Sequence, residues 1–217
     1  MKEFIKKYRH AWLIIAYFIP YSLWFYLLER NVTDYHIIES KLDAYIPFAE
    51  AFIIPYLLWF PYIIVTVLYF IFRDKSGYYR LCGTLMTGMT VFLIVSTVFP
   101  NGLNLRPDLS TLGRENVFLD LVATLHKADT STNVCPSIHV FNSLAACVAV
   151  FVTPTLKGRR IIKGGTLVLT VLICMSTVCL KQHSIIDVFA ALPLCFMAYY
   201  LSYKPRRAGS KRFLKEM

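Results

Sequence analysis

Charge is what this chain has least of. Only 17% of its 217 residues are Asp, Glu, Lys or Arg, against about a quarter in a soluble globular domain. Hydrophobic residues supply 57%, and mean hydropathy is +0.54. That balance excludes a disordered chain, which carries more charge and less apolar surface. No CxxC pair and no Cys/His ligand spacing occurs among the six cysteines at 82, 135, 147, 174, 179 and 195. Zinc and a disulfide framework are therefore not indicated. The thiols fall mostly inside apolar runs, where they act as small hydrophobes. Internal repeats, low-complexity stretches and a second domain are also absent.

What is present is a set of long apolar runs. A bilayer-spanning helix needs about 20 mostly apolar residues, and six segments qualify, at approximately 11–28, 51–72, 81–100, 137–156, 162–180 and 183–203. Helix is the form such runs take in lipid, where backbone polar groups have no water to pair with. Pro20, Pro55, Pro61 and Pro193 lie within them and predict kinks. The first run follows a basic start but lacks a small-residue cleavage site, so it reads as an uncleaved span.

The net charge of +10 would suggest nucleic acid in a soluble protein. Here it has a topological meaning. Of the 23 Lys and Arg, 17 lie in the N-terminus, the loops 73–80 and 157–163, and the tail 204–217. By the positive-inside rule these segments and both termini are cytoplasmic. The loops 29–50 and 101–136 and the turn around Lys181 then face outward. The tail KPRRAGSKRFLKEM reads as a topology signal. The sequon Asn31-Val32-Thr33 hugs the membrane and carries little weight. Within the outer loop, 115–127 has a one-sided apolar stripe (Val117, Phe118, Leu121, Val122, Leu125) and predicts a short interfacial helix. It either roofs a site or serves as an ordinary connector. His126 and Lys127 on it are expected to be solvated.

Ionisable groups at membrane boundaries are expensive and mark function. Three clusters fall on the outward side. Arg106-Pro107 follows the third span and presents a donor fork suited to phosphate oxygens. Cys135-Pro136-Ser137-Ile138-His139 opens the fourth. Pro136 is expected at the first helical position, leaving the Ser137 and Ile138 N–H groups free as an anion site. Lys181-Gln182-His183-Ser184-Ile185-Ile186-Asp187 opens the sixth, with His183 and Asp187 four apart on one helix face. A carboxylate beside an imidazole orients it and stabilises its cation.

The order Arg-Pro, Pro-Ser-x-His, His-x3-Asp resembles the lipid-phosphatase branch of the type 2 phosphatidic acid phosphatase superfamily, over nearly the whole chain. Three positions depart from the family pattern: Phe99 replaces its first Lys, Ile138 the Gly of its second motif, and Thr177 the Arg of its third, although the preceding Ser176 is kept. The resemblance implies an all-α integral membrane enzyme of six transmembrane helices with its site at the outer face, in the plasma (inner) membrane. His183 would be the nucleophile forming a phosphohistidine, Asp187 its orienting partner, and His139 the acid–base residue. Arg106, Ser137 and the Ile138 amide would bind phosphate, with Lys181, or else Lys127, supplying a missing charge. No metal and no cofactor are implied. The substrate would be a membrane lipid phosphate such as phosphatidic acid, phosphatidylglycerol phosphate or a polyprenyl diphosphate. Nucleic acid is not a partner, and no oligomeric state is assigned. Two alternatives stand beside this reading. One is a phosphotransferase of the sphingomyelin or inositol phosphorylceramide synthase type. The other is a non-catalytic lipid-binding or transport relative.

Overall fold

The computed structural model describes residues 2–31 and 34–203. The basic tail and two residues of the sequon lie outside them. After a short N-terminal helix α1 (Lys2–Lys7) come α2 (Trp12–Asn31), α3 (Ile53–Arg73), α4 (Lys75–Val98), α5 (Val117–Ala128), α6 (Ile138–Val152), α7 (Arg160–Cys179) and α8 (Ile185–Tyr203). Single 3-10 turns precede or join several of these.

Among the described residues, five stretches are long and apolar enough to cross a membrane by length and composition: Arg9–Asn31, Glu50–Arg73, Lys75–Val98, Arg160–Cys179 and Ile185–Tyr203. The remaining apolar helix, α6, has 15 residues, or about 22 Å at 1.5 Å per residue. It stops short of the expected 156 because Thr153-Pro154 follows, and the residue before a proline is turned away from helical geometry. Nine of its residues are buried, because it sits between α3, α4, α7 and α8.

The third span also begins earlier than the sequence suggests. Asp74 alone separates α3 from α4. Its carboxylate accepts from Gly77 N–H at 2.8 Å and from the Thr153 hydroxyl at 2.7 Å, so the cap that starts α4 also ties it to the end of α6. The predicted loop 73–80 is therefore mostly helix. Pro55 lies in the first turn of α3, where its missing N–H costs nothing, and does not act as an internal kink. Pro20, Pro61 and Pro193 are interior.

The core is built where α6 meets α4 and α8, from Phe70, Leu81, Leu85, Phe141, Ala145, Ala149, Ala191 and Ala198. Small residues let helices approach closely. At Gly88 a Cβ would lie 2.0 Å from the Phe141 ring, so only glycine permits that crossing. Outside this core the helices are studded with exposed Phe, Ile, Leu and Trp, with Ile19 at 69% and Phe196 at 72% exposed. Such faces fit lipid rather than water.

At the opposite end of the bundle from Asp74, the connecting segments interlock. Strands β1 (His36–Ile37) and β2 (Asn101–Gly102) pair in parallel, His36 against Asn101. The sequence carried no clear signal for so short a pairing. Gly102 is pressed by the Tyr35 ring at 2.6 Å and the Ser131 carbonyl at 2.8 Å from any added Cβ. The buried Asn101 amide accepts from Val134 N–H at 2.9 Å and Cys135 N–H at 2.8 Å. It thereby fixes the backbone leading into α6.

Candidate active site

The turn from α7 to α8 sets the first half of the site. Gln182 N–H and His183 N–H both donate to the Thr177 carbonyl at 3.0 Å, and Lys181 N–H donates to the Val178 carbonyl at 3.2 Å. This is a Schellman ending, and its left-handed position is held by Lys181 at φ +57°. Glycine is the usual residue there. Lysine is retained by its far end, where Nζ donates to the carbonyls of Asp43 at 2.7 Å and Ile46 at 2.5 Å. The ammonium assigned to phosphate from sequence thus spends two of its three donors on the loop before α3.

Asp43 is the second brace. It is buried, and its carboxylate accepts from the Ser184 hydroxyl at 2.6 Å and from Ile185 N–H at 2.9 Å. Ser184 in turn starts α8. Its hydroxyl accepts from Ile186 N–H at 3.2 Å while Asp187 Oδ2 accepts from Ser184 N–H at 2.9 Å, a reciprocal capping box. His183 therefore lies just before the helix, not on its first turn. It meets Asp187 through cap geometry rather than through a shared helix face, which corrects the sequence-based picture.

His183 Nδ1 stands 3.4 Å from Asp187 Oδ2. That is ion-pair distance without hydrogen-bond alignment, so Nδ1 and Asp187 Oδ1 are both buried without a hydrogen-bond partner. The other ring nitrogen, Nε2, lies 3.4 Å from His139 Nδ1, and the rings are inclined at 62°. His139 reaches this position from the first turn of α6. Tyr56 and Trp59 of α3 pack on its ring, with centroids at 4.8 and 4.5 Å.

Ser137 is the N-cap of α6, its hydroxyl accepting from Val140 N–H at 3.4 Å. Pro136 therefore precedes the cap and does not occupy the first helical position. The Ser137 N–H is not free either, because it donates to the Asp187 carbonyl at 3.2 Å. That bond joins the starts of α6 and α8 and brings the two histidines together. Ile138 opens the helix, with its side chain packed against the Tyr21, Phe92 and Leu93 cluster.

Arg106 is spent on the chain. Nη1 donates to the carbonyls of Asp129 at 2.8 Å and His126 at 3.4 Å. Nη2 donates to the Thr130 carbonyl at 2.9 Å and to Gln182 Oε1 at 2.6 Å. The guanidinium thus clamps the carbonyl-rich end of α5, where a cation is favoured, to the residue next to His183. Arg106 Nε and Gln182 Nε2 remain buried without hydrogen-bond partners. Burial lowers the Arg106 pKa. His126, expected to be solvated, is half-buried under this clamp, and desolvation with the nearby Arg106 depresses its pKa to about 4. Lys127 is exposed.

At the two positions where a cation is expected from the resemblance, Phe99 stacks on His36 with centroids 4.6 Å apart, and Thr177 Oγ1 donates to the Cys174 carbonyl at 2.8 Å. Sequence reasoning missed Asp43, Ser184, Asn101, Gln182 and the Tyr56–Trp59 pair. The Ser-x-x-Asp spacings at 40–43 and 184–187 were a visible capping signal. Nothing local to the other residues marks them.

A family model described as the PAP2 superfamily matches residues 80–208, more than half of the chain. No curated protein and no solved structure matches. The matched region takes in Arg106, both histidines and Asp187, and its family is of phosphatase and phosphotransferase type. With five apolar helices of membrane-spanning length among its described residues, this multi-helix membrane chain belongs to the PAP2 superfamily.

Proposed function

We propose that the protein removes phosphate from a membrane lipid phosphate through a phosphohistidine at His183. The observation that carries this reading is a chain of three neighbouring groups. Asp187 lies on one nitrogen of His183, and His139 lies 3.4 Å from the other. A carboxylate on Nδ1 fixes the tautomer that leaves Nε2 free to attack phosphorus. His139, beside that nitrogen, protonates the departing alkoxide and then takes a proton from the water that cleaves the N–P bond. Arg106 Nε, Gln182 Nε2 and the Ile138 amide at the α6 N-terminus supply donors for the phosphate oxygens. Ser137 and Lys181 hold the elements that carry the histidines.

In this reading α6 is the fourth of six spans, the termini are cytoplasmic and the site faces outward. The helix α5 lies on the outer interface of the plasma membrane. The test is phosphate release by detergent-purified protein from a panel of lipid phosphates, run with and without a lipid alcohol. Release that is lost in His183→Ala supports the reading, and undiminished release in that variant overturns it.

A phosphotransferase is the second reading. Phe99 and Thr177, in place of two cations, favour a phosphate with fewer negative charges, as in a phosphodiester. Transfer of label to the added alcohol distinguishes it from hydrolysis.

A further inference from the structure

The histidine pair is part of a closed ring of contacts. Asp129 Oδ2 accepts from the Tyr56 hydroxyl at 3.5 Å. The Tyr56 ring packs on His139, which faces His183. Gln182, the neighbour of His183, accepts from Arg106, and Arg106 returns to the Asp129 carbonyl at 2.8 Å. The Asp129 carboxylate is thus built into the wall of the site. No Lys or Arg forms an ion pair with it among the described residues.

The charged groups around Asp129 can be named element by element. Arg106 comes from the loop after α4, with its four Nη hydrogens committed. Glu29 comes from the end of α2, where it accepts from Asn133 and Thr130. His126 lies on α5 itself, His183 is in the α7–α8 turn, and the Tyr56 hydroxyl is on α3. Burial raises the Asp129 carboxyl above its ordinary value; Arg106 and His183 offset part of that rise, and Glu29 adds to it. Besides Asp187 behind His183, the site therefore has the Asp129 carboxylate beside one committed cation, Arg106, with Glu29 adding negative charge nearby, and the unpartnered donors Arg106 Nε and Gln182 Nε2 suit a weakly charged phosphate.

We propose that Asp129 is the charge filter of this site: it admits a singly charged phosphate, whether a phosphodiester or a monoprotonated monoester, and turns away the monoester dianion. The proposal rests on the phosphate-transfer reading of the histidine pair. Repulsion between like charges in a site of low effective dielectric is the physical cause. A dianion enters only when one proton is added, either to the phosphate, whose second pKa is about 6, or to Asp129.

The experiment compares kcat/KM for one lipid as its phosphomonoester and as the methyl phosphodiester, between pH 7 and 9, where protonation of the histidines affects both alike and cancels in the ratio. In wild type the monoester-to-diester ratio should fall about tenfold per pH unit. In Asp129→Asn it should be flat, and at pH 8 at least tenfold higher than wild type. Asp129→Glu should restore the slope. A flat ratio in wild type overturns the proposal without any variant, as does an unchanged slope in Asp129→Asn. Failure of the underlying reading is separate: it shows as turnover surviving His183→Ala, whatever the ratio does.

Discussion

His139 Nδ1 and His183 Nε2 face each other at 3.4 Å although 44 residues separate them. One backbone bond, Ser137 N–H to the Asp187 carbonyl, holds the two helix starts at that spacing. In the proposed mechanism the different surroundings of the two rings suit different roles. His183 has a carboxylate behind it, and His139 has the Tyr56 and Trp59 rings. His183→Ala should abolish both turnover and any acid-labile phosphoprotein. His139→Ala should lose turnover on lipid substrates yet accumulate an adduct from a substrate with a good leaving group, read by intact mass. An adduct in His183→Ala would invert the assignment.

Asp43 and Asp187 support the same helix start from two sides. Asp43→Ala strips acceptors from the Ser184 hydroxyl and Ile185 N–H, and should cost about 3 kcal/mol of stability by leaving buried donors unpaired. Its activity should fall in proportion to the unfolded fraction. Asp187→Asn should keep the fold better but lower kcat by about three orders of magnitude or more, as in triads that lose the orienting carboxylate. Thermal unfolding and kcat measured on both variants separate brace from orienter.

Lys181 provides a test of position against charge. Lys181→Met removes two charge-assisted bonds to carbonyls and should destabilise by about 1.5–3 kcal/mol, with KM for the lipid phosphate little changed in the folded fraction. A large rise in KM with unaltered thermal stability would instead assign the ammonium to phosphate.

His126 predicts a pH dependence of stability. Its ordinary value near 6.5 falls to about 4 in the fold, so between these values the unfolded chain binds a proton that the native state refuses. The contribution is full above about pH 6.5 and is lost as pH falls toward 4. Melting temperature in detergent should drop over that window, and less steeply in His126→Gln. An identical acid slope in both proteins would exclude His126 as the source.

Orientation is decided by labelling. In a cysteine-free background, a cysteine at Asn104 should react with an impermeant reagent from outside intact cells, and one at Lys157 only after permeabilisation. The reverse pattern overturns the topology.

The sequence by itself determined the helical, membrane-type class, because twenty apolar residues in a row have no other low-cost state. It also singled out His139, His183 and Asp187, because ionisable groups beside such runs are conspicuous. It did not determine which cations are free. Arg106 and Lys181 look available in one dimension, and only the tertiary structure spends their donors on the carbonyls of 126, 129 and 130 and of 43 and 46. The burial of α6 was likewise hidden, because apolar composition does not show whether lipid or other helices cover a segment. Asp43 carried only a capping signal, and Asp129 no local mark, as parts of the site. Their roles depend on contacts 73 to 142 residues apart in the chain, and such pairings exist only once the helices pack.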